Sequence, residues 1–265
     1  MESRATRVAL RVWVALLLAF LFVPIAIIVV YAFNPSNIQS WPLPGLSLKW
    51  VRLTWHNPEI RDALALSLKA GALATAIALL LGSAAAFAVH RFRFFGREAV
   101  SFIVVLPLAL PGIITGMALN SFFAFTGRNL SLWTIVVGHA TFCIVIVYNN
   151  VVARLRRVAP SIAEASQDLG ARGWQTFRFV TLPVLSTALV SGALLAFALS
   201  FDEVIVTTFT AGAQNTLPLW IFGAIRLGQQ LPEVNVVVVF VLALTIVPVA
   251  VAQRLTRESG LLRRE

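Results

Sequence analysis

Six windows of apolar residues, at roughly 8–33, 64–89, 99–125, 132–152, 184–209 and 234–251, constrain this chain more than any other feature. Each can cross about 30 Å of hydrocarbon as a helix, which takes about 20 residues. A chain of 265 residues that is 59% hydrophobic and 12% charged, with a mean hydropathy of +0.87, cannot hide that surface in one water-soluble core with polar faces outside. The bilayer is the expected solvent. The expected fold is all-α: a polytopic membrane protein with six transmembrane helices in a single domain over residues 1–265.

Lysine and arginine set the orientation. With the N-terminus inside, the inner segments collect 15 of the 21 basic residues, among them Arg91, Arg93 and Arg97 in one loop and Arg154, Arg156, Arg157, Arg172 and Arg178 in another. The outer segments hold five, and Lys69 falls within the second window. That bias predicts both termini on the cytoplasmic side. The net charge of +10 thus reflects topology, and its dispersal over short loops argues against a nucleic-acid partner. The first window is far longer than a signal-peptide core and is followed by no small-residue cleavage site, so it is expected to stay as an anchor.

The outer segment 34–61 carries Trp41, Trp50 and Trp55 among several prolines. It is expected to be irregular yet ordered, either as an interfacial anchor or as a surface for an external partner. In the third window, Pro107 and Pro111 stand four apart, remove backbone hydrogen bonds and bend the helix. Such a helix lines a cavity or simply packs bent. The lone Cys143 excludes an intrachain disulfide and reads as a small buried residue.

Enzymatic signatures are missing. No GxxxxGK[ST], HExxH or GxSxG occurs, and His56, His90 and His139 lack metal-ligand spacing, so neither nucleotide hydrolysis nor metal chemistry is expected of the chain itself. His139, near the middle of the fourth window, either hydrogen-bonds a neighbouring helix or meets a substrate. Asp202 and Glu203 are the sharper signal. If a helix starts at Pro183, Asp202 lies about 28 Å along it, where an acid is costly unless it faces water, a cation or a basic partner. Lys69 or Arg226 is available for an ion pair, and a cationic substrate is the alternative.

Between the fourth and fifth windows lies a polar, amphipathic island, Glu164 to Pro183, EASQDLGARGWQTFRFVTLP, within a loop of about 154–183. Flanked by apolar spans, it is expected to protrude into water and dock a partner. Glu164-Ala165-Ser166, Gly170, Val180, Leu182 and Pro183 follow the pattern E-A-A-x-x-x-G-x(9)-I-x-L-P, with Ser for the third small residue and Val for Ile. This resembles the signature of ABC importer permeases. HATFC at 139–143, EASQDLGA at 164–171, LSFDEVIVTTFTAG at 199–212, TLPLWIFG at 216–223 and LPEVN at 231–235 are similar to the second permease subunit of spermidine/putrescine-type importers.

The resemblance implies a type I permease of six helices in a bacterial inner membrane that pairs with a second permease, expected to be a distinct homologous chain, and receives substrate from an extracytoplasmic binding protein. It implies two copies of an ABC ATPase, which carry ATP and Mg, seated on a cytoplasmic coupling helix. Glu164, Ala165, Ser166, Asp168, Gly170, Ala171, Leu182 and Pro183 would form that coupling region, with Glu164 and Asp168 at i and i+4 able to pair with basic groups. Asp202, Glu203, Phe201, Trp220 and His139 would line the path of an organic cation, carboxylates and aromatic faces both suiting ammonium groups. A secondary transporter needing no ATPase and an intramembrane enzyme are the alternative classes.

The charge bias makes a direct prediction. In a cysteine-free background, Gln167→Cys should resist an impermeant thiol reagent in intact cells and Ser36→Cys should react. Labelling of Gln167→Cys from outside would reverse the topology.

Overall fold

The computed structural model describes residues 4–159 and 161–245, and every regular element among them is helical. The chain divides into two compact units, one formed by the segment up to Arg61 with the segment from Gly223 onward, the other by Asp62–Phe222.

The first unit contains α1 (Arg4–Tyr31), α2 (Lys49–His56) and α12 (Leu231–Thr245). Segment 34–61 is less irregular than its prolines imply, because 49–56 has an amphipathic repeat that places Trp50 and Thr54, four apart, on one buried side. Trp50 packs with Ala32 and Val236, and Asn57 donates to the Glu233 carboxylate at 2.8 Å. Trp55 meets Phe240 edge-on, yet it and Trp41 remain exposed.

The second unit is built around α6 (Leu132–Leu155). Of its most apolar stretch 61% is buried, against 33% for α3 (Pro58–Arg91), so α6 is the central post. Alanine and glycine on α3 let the two helices approach closely. A Cβ on Gly82 would stand 2.8 Å from the Ile144 carbonyl oxygen, and Ala78 and Ala86 are fully buried one turn to either side. On the other flank α6 packs against α9 (Leu182–Phe201) through Gly192, beside Val147.

The proline pair breaks the third window outright. α4 (Arg97–Ala109) and α5 (Gly112–Phe125) meet at 105°. Pro111 offers no N–H and forces the residue before it away from helical geometry, and Leu110 is accordingly extended at φ −82°, ψ 139°.

Among the described residues, four helices are individually long and apolar enough to span a membrane, five if the bent pair counts as one. The sixth window begins in α12, and its remainder lies outside the described residues.

The fifth window departs from expectation at both ends. Its helix does not begin at Pro183: α8 (Gly173–Thr176) leads through a π-helical turn at Phe177–Thr181 directly into α9. The wide turn, closed by Leu182 N–H on the Phe177 carbonyl, accommodates a proline that would otherwise clash with the carbonyl four residues back. Nor does it continue to Phe209. It stops at Phe201, and after a three-residue break α10 (Ile205–Thr210) begins.

Close packing at Gly82 predicts a graded outcome. Gly82→Ala drives a methyl into backbone, which cannot yield, and should cost about 1–3 kcal/mol, seen as a lower unfolding temperature in detergent. Gly71→Ala faces the Phe197 ring at 3.0 Å, a side chain able to shift, and should cost less. Equal effects would show that the α3–α6 crossing tolerates separation.

Candidate functional site

Two places in the second unit carry the polar residues singled out by the sequence. The first is the island, which folds as α7 (Ser161–Asp168), a tight turn, α8 and the π-helical turn.

Gly170 ends α7 in left-handed geometry, φ +87°. Its N–H donates to the Gln167 carbonyl at 2.8 Å and the Ala171 N–H donates to the Ser166 carbonyl at 3.1 Å, the paired bonds of a Schellman closure. The glycine is thus required by its own backbone. A Cβ there would meet no atom within 4 Å, so space is not the constraint within this chain. The turn is held on its inner side, where Ser166 Oγ lies 3.2 Å from Thr176 Oγ1. Phe177 stacks on Trp174 and meets Phe87 of α3 edge-on, both at 5.5 Å.

Glu164, Ala165, Gln167 and Asp168 are exposed, and Leu169 beyond them is 90% exposed. Leu182 and Pro183 belong to the first turn of α9, on the far side of the π-helical turn from α7. There Arg154 of α6 donates through Nε to the Val184 carbonyl at 3.0 Å, a brace that the sequence did not single out.

The second place is the break between α9 and α10. Asp202 terminates α9 at φ −89°, ψ −1° with its side chain exposed. Glu203 is half-buried, and its Oε1 accepts the Val206 N–H at 2.9 Å, placing a carboxylate on the first turn of α10. The two acids are therefore not equivalent: one is free on the surface, the other holds the turn. Both lie at a helix break and not within a continuous helix, so the break supplies the polar surroundings that an acid in an apolar span needs.

His139, 1% exposed, bridges that break from α6. Its Nδ1 lies 2.7 Å from Ser200 Oγ and its Nε2 lies 2.8 Å from Thr207 Oγ1. Thr207 donates its single hydroxyl proton to the Glu203 carbonyl at 2.6 Å, so its oxygen accepts from the ring. In the neutral ring this puts the proton on Nε2 and leaves Nδ1 to accept from Ser200. The partners, Ser200 and Thr207, were not legible as such: small hydroxyls in apolar sequence announce no role. α10 is gripped elsewhere too, Asn120 donating to the Phe209 carbonyl and Thr134 to the Thr210 carbonyl, both at 2.7 Å. The Phe209 ring lies where a side chain on Gly116 would stand.

Phe201 stacks on Phe197 at 6.1 Å beside the acids. Trp220, on α11 (Leu217–Leu227), is 7% exposed, and no hydrogen bond or ring contact joins it to Asp202, Glu203, Phe201 or His139 among the described residues. Cys143 is buried and its Sγ donates to the Ala196 carbonyl at 3.3 Å. Among the described residues no three His, Cys, Asp or Glu side chains gather as a metal site.

Comparison with known proteins gives these places a setting. Residues 78–257 match the family described as "Binding-protein-dependent transport system inner membrane component". The chain is 33% identical over 242 residues to the spermidine/putrescine transport system permease protein PotC of Escherichia coli K12, covering 91% of this chain and 90% of the relative. It is 35% identical over 232 residues to the putrescine transport system permease protein PotI of the same organism, covering 84% and 82%. Its fold resembles a chain in the crystal structure of a bacterial ABC transporter involved in import of the acidic polysaccharide alginate, with a TM-score of 0.71 at 18% identity over 96% of this chain and 98% of that one.

The histidine bridge is testable by itself. His139→Leu removes both ring partners and should lower the unfolding temperature in detergent, each stranded buried hydroxyl costing about 1–3 kcal/mol. His139→Asn, which places an amide where Nδ1 was, should recover part of the loss. An unchanged unfolding temperature in His139→Leu would show that the break stands without it.

Proposed function

Since the chain belongs to the binding-protein-dependent inner membrane transport family, we propose that this ABC importer permease subunit moves a polyamine-type organic cation into the cytoplasm by alternating access. As a bacterial inner membrane component of this family it provides a transport path, and the family implies a separate ATPase, a second permease and a substrate-binding protein. In the finer reading, six helices cross the membrane with both termini inside, the second permease is a distinct homologous chain, and two ATPase copies supply ATP and Mg. The names of the relatives, spermidine/putrescine and putrescine permeases, support the choice of substrate class.

The observation that carries the reading is the inequality of the two acids. Asp202 is exposed and takes no part in holding the break, so its charge is free to attract an ammonium group. Glu203 keeps α10 in place. Phe201 supplies an aromatic face beside them.

Coupling falls to α7. Glu164 and Asp168 present two carboxylates on its outer face, Ala165 leaves room between them, and Leu169 adds an apolar anchor. Gly170 contributes by ending the helix where the ATPase must approach, and Ser166 ties that end to α8.

Uptake of labelled spermidine or putrescine into cells carrying the complete transporter separates the roles. Asp202→Asn should reduce uptake on the order of tenfold or more, the effect of losing one close charge pair, with assembly intact. Glu203→Ala, which removes the acceptor of the Val206 N–H, should chiefly lower stability. Normal uptake by Asp202→Asn would remove the acid from the path and point to a neutral or anionic substrate.

A second assay addresses coupling. Gly170→Asp puts a Cβ into left-handed geometry, at a cost of about 1 kcal/mol, and adds a charge at the docking face. The tagged variant should insert and pair with its sister subunit yet lose the copurifying ATPase or the stimulated ATP hydrolysis. Wild-type values for both would show that α7 is not the docking element.

A further inference from the structure

The loop joining α3 to α4 is left unexplained by transport. Over seven residues, Arg91 to Arg97, it interleaves three arginines with three phenylalanines. Phe92, Phe94 and Phe95 are 58%, 41% and 105% exposed, and neither Arg91 nor Arg93 has a side-chain hydrogen bond or ion pair among the described residues. Three exposed phenylalanines on one short loop mark a surface made for an apolar phase or partner. Alternating them with guanidinium groups adds affinity for phosphate.

The position of the loop selects the phase. α3 has 34 residues and is about 51 Å long, well beyond about 30 Å of hydrocarbon, so its last turn emerges at the membrane interface. Beside that turn is a cavity of about 550 Å³ with a divided lining. His90 and Arg91 stand on its polar side; Leu155, Val184 and Leu185 give it an apolar wall. The volume is that of a small-molecule site, and a basic mouth over an apolar wall matches an anionic head group carrying hydrocarbon. Ile162, Ala163, Glu164 and Gln167 of α7 complete the lining, Glu164 being its one acid.

We propose that the α3–α4 loop and this cavity bind an anionic phospholipid of the cytoplasmic leaflet, the phosphate on Arg91 and Arg93 and an acyl chain along the apolar wall. The leaflet rests on the orientation proposed above. The occupant touches α7, the helix proposed to dock the ATPase, so lipid composition sets how firmly that helix is held. A protein partner on the same loop is the competing occupant, but it would leave the divided cavity without a use.

The purified full-length chain, titrated in detergent with phosphatidylglycerol or phosphatidylcholine and read by native mass spectrometry, tests this. Phosphatidylglycerol should be retained at concentrations at least tenfold below phosphatidylcholine. The double variant Arg91→Gln/Arg93→Gln should lose that preference, Phe95→Ala should weaken retention of both lipids, and Arg178→Gln should leave it intact. Size-exclusion elution matching wild type identifies folded variants, and Phe95→Ala, which keeps every charge, stands in should the double variant not fold.

Equal retention of the two lipids, or an unchanged preference in the double variant, overturns the proposal. So does full displacement of phosphatidylglycerol by soluble glycerol 3-phosphate, which would assign the site to a free phosphate compound. No ATPase or substrate enters the assay, so failure here leaves the transport reading standing. Outside labelling of Gln167→Cys would move the site to the other leaflet without altering lipid retention.

Discussion

Inside a membrane, a helix can be interrupted only where protein groups take up the freed N–H and C=O groups, since hydrocarbon offers none. The break after Phe201 meets that condition from three sides. His139 ties Ser200 to Thr207, Thr134 and Asn120 take carbonyls of α10, and Glu203 accepts the Val206 N–H. Everything else about the acids follows from it. An acid in an unbroken apolar helix would be a burden on folding; at a supported break it is free to hold a turn, as Glu203 does, or to face outward, as Asp202 does.

The break and the island are the two ends of one body. Helical conformation runs without interruption from Gly173 to Phe201, 29 residues and about 43 Å, with the π-helical turn absorbing Pro183. At one end α7 is joined to it through Ser166 and Thr176, and Phe177 anchors it on α3. At the other end Ser200 is its last buried contact before the acids. In the proposed mechanism a displacement of α7 by an ATPase is delivered along this body to the substrate-facing break. Arg154 braces its lower portion against α6, so the motion involves the central post as well.

How much of this could be read in advance depended on whether a feature shows in residue type. The apolar windows located the helices, and Pro107 with Pro111 located the 105° break between α4 and α5, because proline states its backbone preference in its own structure. The island was legible through its contrast with the apolar sequence around it. The break after Phe201 was not, since 184–209 stays apolar across it and an average over a span hides three residues. Gly170 was legible as part of the signature, but the positive φ that requires a glycine there was not. α2 was missed for a related reason: prolines on either side of 49–56 conceal an eight-residue amphipathic repeat. Partners such as Ser200 and Thr207 are set by tertiary placement, which the local sequence does not encode.

The claim that α7 is where this subunit meets its motor is open to one direct measurement. A photo-crosslinking amino acid placed at Leu169, 90% exposed at the end of α7, and separately at Trp41, 78% exposed in the outer segment, would be activated in cells containing the whole transporter. Crosslinks from position 169 should contain the ATP-binding subunit, and those from position 41 should not. Capture of the ATPase from position 41, with none from position 169, would contradict both the orientation and the coupling role of the island.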